Sequence, residues 1–112
     1  MADQPSMLSQ LRDLGDRYLR RTLHEAEQLR ELAGKAINGD PDCAKRAEQL
    51  AHKIHGSGAM FGFKDVSDCA GQIEALIANR IADLGTIAGE LTALVAQLSR
   101  IVQDTAAERG IG

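Results

Sequence analysis

A chain of 112 residues has room for one modest hydrophobic core and none for a second. Apolar residues make up 44% but aromatics only 3%, so the core must be built from Leu, Ile, Val and Ala, and this alanine- and leucine-rich composition with prolines only at Pro5 and Pro41 points to an all-helical domain. A net charge of -3, from 13 basic and 16 acidic residues, argues against a nucleic-acid binder, and no apolar run is long enough to span a membrane.

The N-terminus is polar up to Ser6. Met7, Leu8, Leu11 and Leu14 then share one helical face and predict a short N-terminal helix, which Gly15 either interrupts or leaves intact. A longer helix is predicted from Asp16 to Ile37, with an apolar stripe of Leu19, Leu23, Ala26, Leu29, Ala33 and Ile37. It should stop at Asn38-Gly39, where the left-handed backbone of a C-cap is tolerated. Asp40 then fits an N-cap, Pro41 the first helical position, and Asp42 the positive end of the helix dipole. That corner places its two helices antiparallel.

The next helix starts at Pro41 and turns Cys43, Ala47, Leu50, Ile54, Gly58 and Phe61 inward, with a break near Gly62-Phe63-Lys64. A further helix follows from Asp65 to Asn79, with Val66, Cys69, Ala70, Ile73, Leu76 and Ile77 inward. The last runs from Asp83 to Ala107 through Leu84, Ile87, Leu91, Leu94, Leu98 and Ile101, and then frays into a polar tail, residues 106–112. The expected fold is a single domain over residues 1–112 with its core over 7–105. It is an antiparallel up-down-up-down four-helix bundle with the additional short N-terminal helix as a cap or strut. Cys43 and Cys69 have no paired spacing and no leader ahead of them, so they read as reduced thiols of a cytoplasmic protein.

The stretch AHKIHGSGAMFGF, residues 51–63, does not fit an ordinary bundle helix. It carries two of the three histidines and three glycines. With Ile54 inward, His52 lies roughly 160° around the helix and faces water. His55, Gly56 and Ala59 fall on the same side, and Glu48 lies one turn below. Gly56 weakens the helix by about 1 kcal/mol relative to alanine on a face where internal packing does not need it. That points to access: a partner approaches the imidazole of His52 over bare backbone. Gly58 admits a neighbouring helix and Gly62 ends or bends this one, while Phe61 and Phe63 cap the core at that end. His24 reads as an ordinary surface residue. Two histidines with Glu48 and Asp68 give no recognised zinc spacing, so no metal is expected. Ser57 lies on another face and Cys43 too far along the helix to form a nucleophilic pair with His52. A solitary exposed imidazole with cleared surroundings fits one chemistry best: it is itself the nucleophile and takes a phosphoryl group.

These residues resemble the signature of histidine-containing phosphotransfer (HPt) domains, His-x-x-Lys-Gly-Ser with small residues and a later glycine. Here it runs through His52, Ile54, Gly56, Ser57, Gly58 and Gly62. The Met60–Phe63 end is similar to the phosphotransfer domain of chemotaxis histidine kinases. The likeness covers residues 16–104 in architecture and is sharp over 50–76. It implies that His52 is phosphorylated and that Gly56, Ala59 and Glu48 belong to the docking face. It implies that Glu74 hydrogen-bonds the ring's other nitrogen, and that His55 stands where a phosphoryl-steadying lysine is usual, with Lys53 or Lys64 to compensate. The implied partners are response-regulator receiver domains, with a hybrid histidine kinase as a further candidate. The implied Mg²⁺ belongs to the receiver and not to this chain. With no ATP-binding motif the protein would be a carrier in a phosphorelay and not a kinase. A monomer is expected, since one copy suffices for that chemistry. The alternative is a helical adaptor without chemistry, or a degenerate HPt domain that docks receivers without transfer.

Overall fold

A computed structural model describes residues 6–111, and Met1–Pro5 and Gly112 lie outside the described residues. Four helices follow in order: α1 (Met7–Ile37), α2 (Pro41–Met60), α3 (Lys64–Asn79) and α4 (Ala88–Glu108), with a 3₁₀ turn at Leu84–Ile87 before α4. No strand occurs among the described residues. Each helix packs on its chain neighbour and α4 closes the ring against α1, giving an all-α four-helix bundle.

The short N-terminal helix is present as the first turns of α1. Ser6 caps it, accepting from the Ser9 amide at 3.0 Å, and the helix continues through Gly15 without a break for 31 residues. Its Met7–Leu14 face does not cap the core, because those four side chains are exposed. The 3₁₀ turn replaces the α-helical start expected at Asp83. No side chain caps that end, and Thr86 turns its hydroxyl back to the Asp83 carbonyl at 2.9 Å.

The α1–α2 corner forms as its residues dictate. Gly39 takes the left-handed conformation at φ +101°, its amide donating to the Ala36 carbonyl. Asp40 then accepts from the Cys43 amide at 3.0 Å with Pro41 behind it. The Cys43 amide also holds the Asp40 carboxyl below its ordinary range.

The core is aliphatic: Leu29, Ile54, Ile73, Ile77, Leu91 and Leu98 are its largest members, with alanines between them. In α4 the buried face is rotated slightly from the expected stripe. Val95, Val102 and Ala106 are buried, while Leu94 and Ile101 are only half-buried. Both cysteines are buried free thiols. Burial raises their pKa values and keeps them protonated; a contact with Asp40 adds to this at Cys43.

The C-terminus does not fray where expected. Helix α4 runs to Glu108, and the Ile111 amide then donates back to the Ala106 carbonyl at 2.8 Å. Ile111 is thereby buried against Tyr18 and Leu19. Arg109 adds an ion pair to Asp16 at 2.9 Å and a hydrogen bond to the Arg12 carbonyl. The residues expected to form a tail thus close a second, smaller core.

Candidate functional site

Helix α2 presents its third to fifth turns between α1 and α3, and every feature of the site follows from which neighbour each residue meets. Ala51 and Ile54 are fully buried, so His52 is turned outward, as the helical angle requires. Its side chain is 72% exposed, and Nδ1 lies 2.6 Å from Oε2 of Glu74 on α3. A carboxylate oxygen can only accept here, so Nδ1 carries the proton and the Nε2 lone pair faces solvent. Glu74 is itself only 27% exposed, which limits how far the carboxylate can swing away from the ring.

Gly56 and Ala59 are exposed one and two turns above His52, and nothing lies within 4 Å of where a Gly56 side chain would begin. No neighbour in the fold explains this glycine. Gly58 is the opposite case: a Cβ there would sit 3.0 Å from the Ser67 amide nitrogen, so its absence lets α2 and α3 approach closely. Gly62 adopts φ +82° and the Phe63 amide donates to the Gly58 carbonyl at 2.8 Å, which ends α2. Glu48 is half-buried below His52.

His55 is turned toward α3 and half-buried. Its Nδ1 lies 2.8 Å from the Ser67 carbonyl and so donates to it, while the Ser67 hydroxyl donates to the His55 carbonyl at 2.7 Å. Gly71 makes room for the ring, since a Cβ there would lie 2.8 Å from His55 Nδ1. The two lysines are also engaged. Lys53 Nζ pairs with Glu25 of α1 at 2.9 Å, and Lys64 Nζ pairs with Asp68 one turn along α3 at 2.6 Å, which raises the Lys64 pKa. Neither ammonium is held toward His52. Ser57 donates to the Tyr18 hydroxyl at 3.1 Å, and His24 is exposed. Among the described residues no group of three or more His, Cys, Asp or Glu side chains is placed to hold a metal ion. No helix among them is long and apolar enough to cross a membrane.

Four residues of this region escape the apolar-stripe reading. Tyr18 is fully buried and stacks with Phe61 and Phe63 at ring-centroid distances of 4.8 and 5.5 Å, fixing the turn that ends α2. Glu25 is buried; its Oε2 forms the ion pair with Lys53, while Oε1 has no hydrogen-bonding partner and lies 3.9 Å from Arg21 Nε. It ties α1 to the residue beside His52. Ser67 and Gly71 lie seven and three residues before Glu74, on the same helical face. Once Glu74 is placed against His52, that spacing puts them against His55 and Gly58.

The family model described as the Hpt domain matches residues 17–103. The chain belongs to the Hpt domain family. No curated protein and no solved structure gives a significant match. The matched span of this Hpt domain starts within α1 and ends within α4, so it takes in part or all of each helix and the whole of α2 and α3. The family and the all-helical fold are consistent with a histidine phosphotransfer role in a relay, and the family implies interaction with receiver domains.

Proposed function

We propose that this Hpt domain accepts a phosphoryl group from a receiver-domain phosphoaspartate onto Nε2 of His52 and returns it to the aspartate of another receiver. The observation that carries this is the His52–Glu74 hydrogen bond on an otherwise open face. It holds the tautomer in which Nε2 is the nucleophile. In the forward step Nε2 attacks phosphorus, the N–P bond forms as the P–O bond to aspartate breaks, and the carboxylate leaves with the electron pair. The resulting phosphoimidazolium keeps its Nδ1 proton against Glu74, whose negative charge offsets the new positive one. The reverse sequence on a second receiver empties the site. Gly56 and Ala59 admit the receiver, and the Mg²⁺ is assigned to the receiver side.

A docking module without transfer is the second reading. What favours it is the engagement of His55, Lys53 and Lys64 elsewhere, which leaves no cation held at the phosphoryl position. One experiment separates the two. A phosphorylated receiver is mixed with the protein, which is then assayed for an acid-labile, base-stable phosphoryl group. Transfer to the wild type and none to His52→Gln is expected. Binding without transfer across a panel of receivers would leave only the docking reading.

A further inference from the structure

Glu25 on α1 is a buried carboxylate with two cations near it and only one in contact. Its side chain is 7% exposed, and Oε2 lies 2.9 Å from Nζ of Lys53. Oε1 has no hydrogen-bonding partner among the described residues, and Nε of Arg21 stands 3.9 Å from it. The Arg21 guanidinium lies over the Tyr18 ring, 5.5 Å from its centroid, and that stack keeps it beside Glu25. Both cations are more than half exposed, Arg21 at 52% and Lys53 at 58%, so either can move without leaving water. The cluster adjoins the reacting group, because Lys53 follows His52 directly on α2.

We infer that Lys53 is the cation that steadies the phosphoryl group on His52, and that Glu25 and Arg21 are positioning residues that store and release it. The inference rests on phosphorylation of His52 as proposed above. Without the phosphoryl group, Lys53 closes the Glu25 pair. A phosphoryl group on Nε2 brings three acceptor oxygens and close to two negative charges, and it competes with a single carboxylate for the ammonium. Lys53 then swings toward His52, about 100° around the same helix. That move alone would strand a buried carboxylate, which is strongly unfavourable. Arg21 removes the penalty by advancing about 1 Å to within hydrogen-bond distance of the unpartnered Oε1. When the phosphoryl group leaves, the exchange reverses. The other candidates fit less well. Lys64 opens α3 ten residues before Glu74, which places it about 15 Å along the helix from the level of His52. Lys45 is two turns below His52, and helical side chains lean toward the N-terminus, away from it. His55 donates its Nδ1 proton to the Ser67 carbonyl, so the neutral ring has no donor left for phosphoryl oxygens.

The test is single-turnover transfer from a phosphorylated receiver to the full chain, read as the rate at saturating receiver and as the half-saturating concentration, with a thermal melt of each variant. Lys53→Gln should lower the saturating rate about tenfold, the effect of losing one charge-assisted hydrogen bond, with little change in half-saturation. Arg21→Gln should lower it about threefold, because Lys53 then leaves Glu25 uncovered, and Arg21→Lys should recover part of the loss. Glu25→Gln frees Lys53; it should raise the rate about threefold and abolish the effect of Arg21→Gln made in the same chain. A purely structural tie would lower melting temperatures and raise no rate. Transfer to Lys53→Gln at the wild-type rate overturns the inference and leaves phosphorylation of His52 standing. So does a Glu25→Gln variant that gains no rate, and so does an Arg21→Gln effect that persists without Glu25. A wild type that accepts nothing from any receiver of the panel overturns the proposed function and this inference together.

Discussion

His52 and His55 stand one turn apart on α2, and both use Nδ1 to reach α3, yet their situations are opposite. His52 meets a carboxylate at the rim of the groove and leaves Nε2 in water. His55 meets a backbone carbonyl inside it, in a niche that Gly71 keeps open. The partner of the second nitrogen and the depth of the ring distinguish a candidate nucleophile from a structural tie. A histidine count or a helical wheel puts both on the same outer face.

The contrast can be broken by exchanging losses. His52→Gln should abolish phosphoryl acceptance while leaving the unfolding midpoint within the range of a surface substitution, as read by transfer assay and thermal melt together. Gly56→Trp should lower the transfer rate by about 100-fold with unchanged circular dichroism, because it displaces a docked receiver and touches nothing in the fold. Transfer at the wild-type rate would remove the access argument. Glu74→Ala should slow acceptance by roughly ten- to a hundredfold by releasing the tautomer, and Glu74→Gln, whose carbonyl oxygen can still accept from Nδ1, should recover part of it. His55→Ala should do the reverse of His52→Gln. It loses about 1–2 kcal/mol of stability by removing the Nδ1–Ser67 carbonyl hydrogen bond and emptying the niche beside Gly71, and it retains transfer.

The smallest effect lies farthest from the site. The depressed Asp40 carboxyl contributes stability that is present above the ordinary aspartate range and is lost as pH falls through its folded-state value. Asp40→Asn keeps an N-cap and should flatten only the acid limb of a plot of melting temperature against pH.

Much of this was legible in the chain because the information was local. The Asn38–Pro41 corner, the inward Ile54 and the outward His52 follow from cap chemistry and helical angle, and each is met in the fold. Glu74 opposite His52 came from the resemblance to a family pattern, and the structure sets the two 2.6 Å apart. What stayed hidden depends on pairing between helices. The projection of α1 beyond the bundle is invisible in a stripe that looks as apolar at Leu11 as at Leu29. Whether that stripe is covered is decided by the length of α4, whose C-terminus reaches only as far as Arg12 and Asp16. Ile111 reads as a tail residue until Gly110 turns it back onto Tyr18. Lys53 looks like a free cation beside His52 until α1 brings Glu25 to it.

The central claim concerns one nitrogen atom, and it can be read directly. The protein is labelled with ¹⁵N, phosphorylated by a receiver domain or a small phosphoryl donor, and examined for ³¹P–¹⁵N coupling by NMR. A single phosphoryl group on Nε2 of His52 is expected, with the Nδ1 proton retained and shifted by its bond to Glu74. A phosphoryl group on Nδ1 of His52, or on His55 or His24, would contradict it.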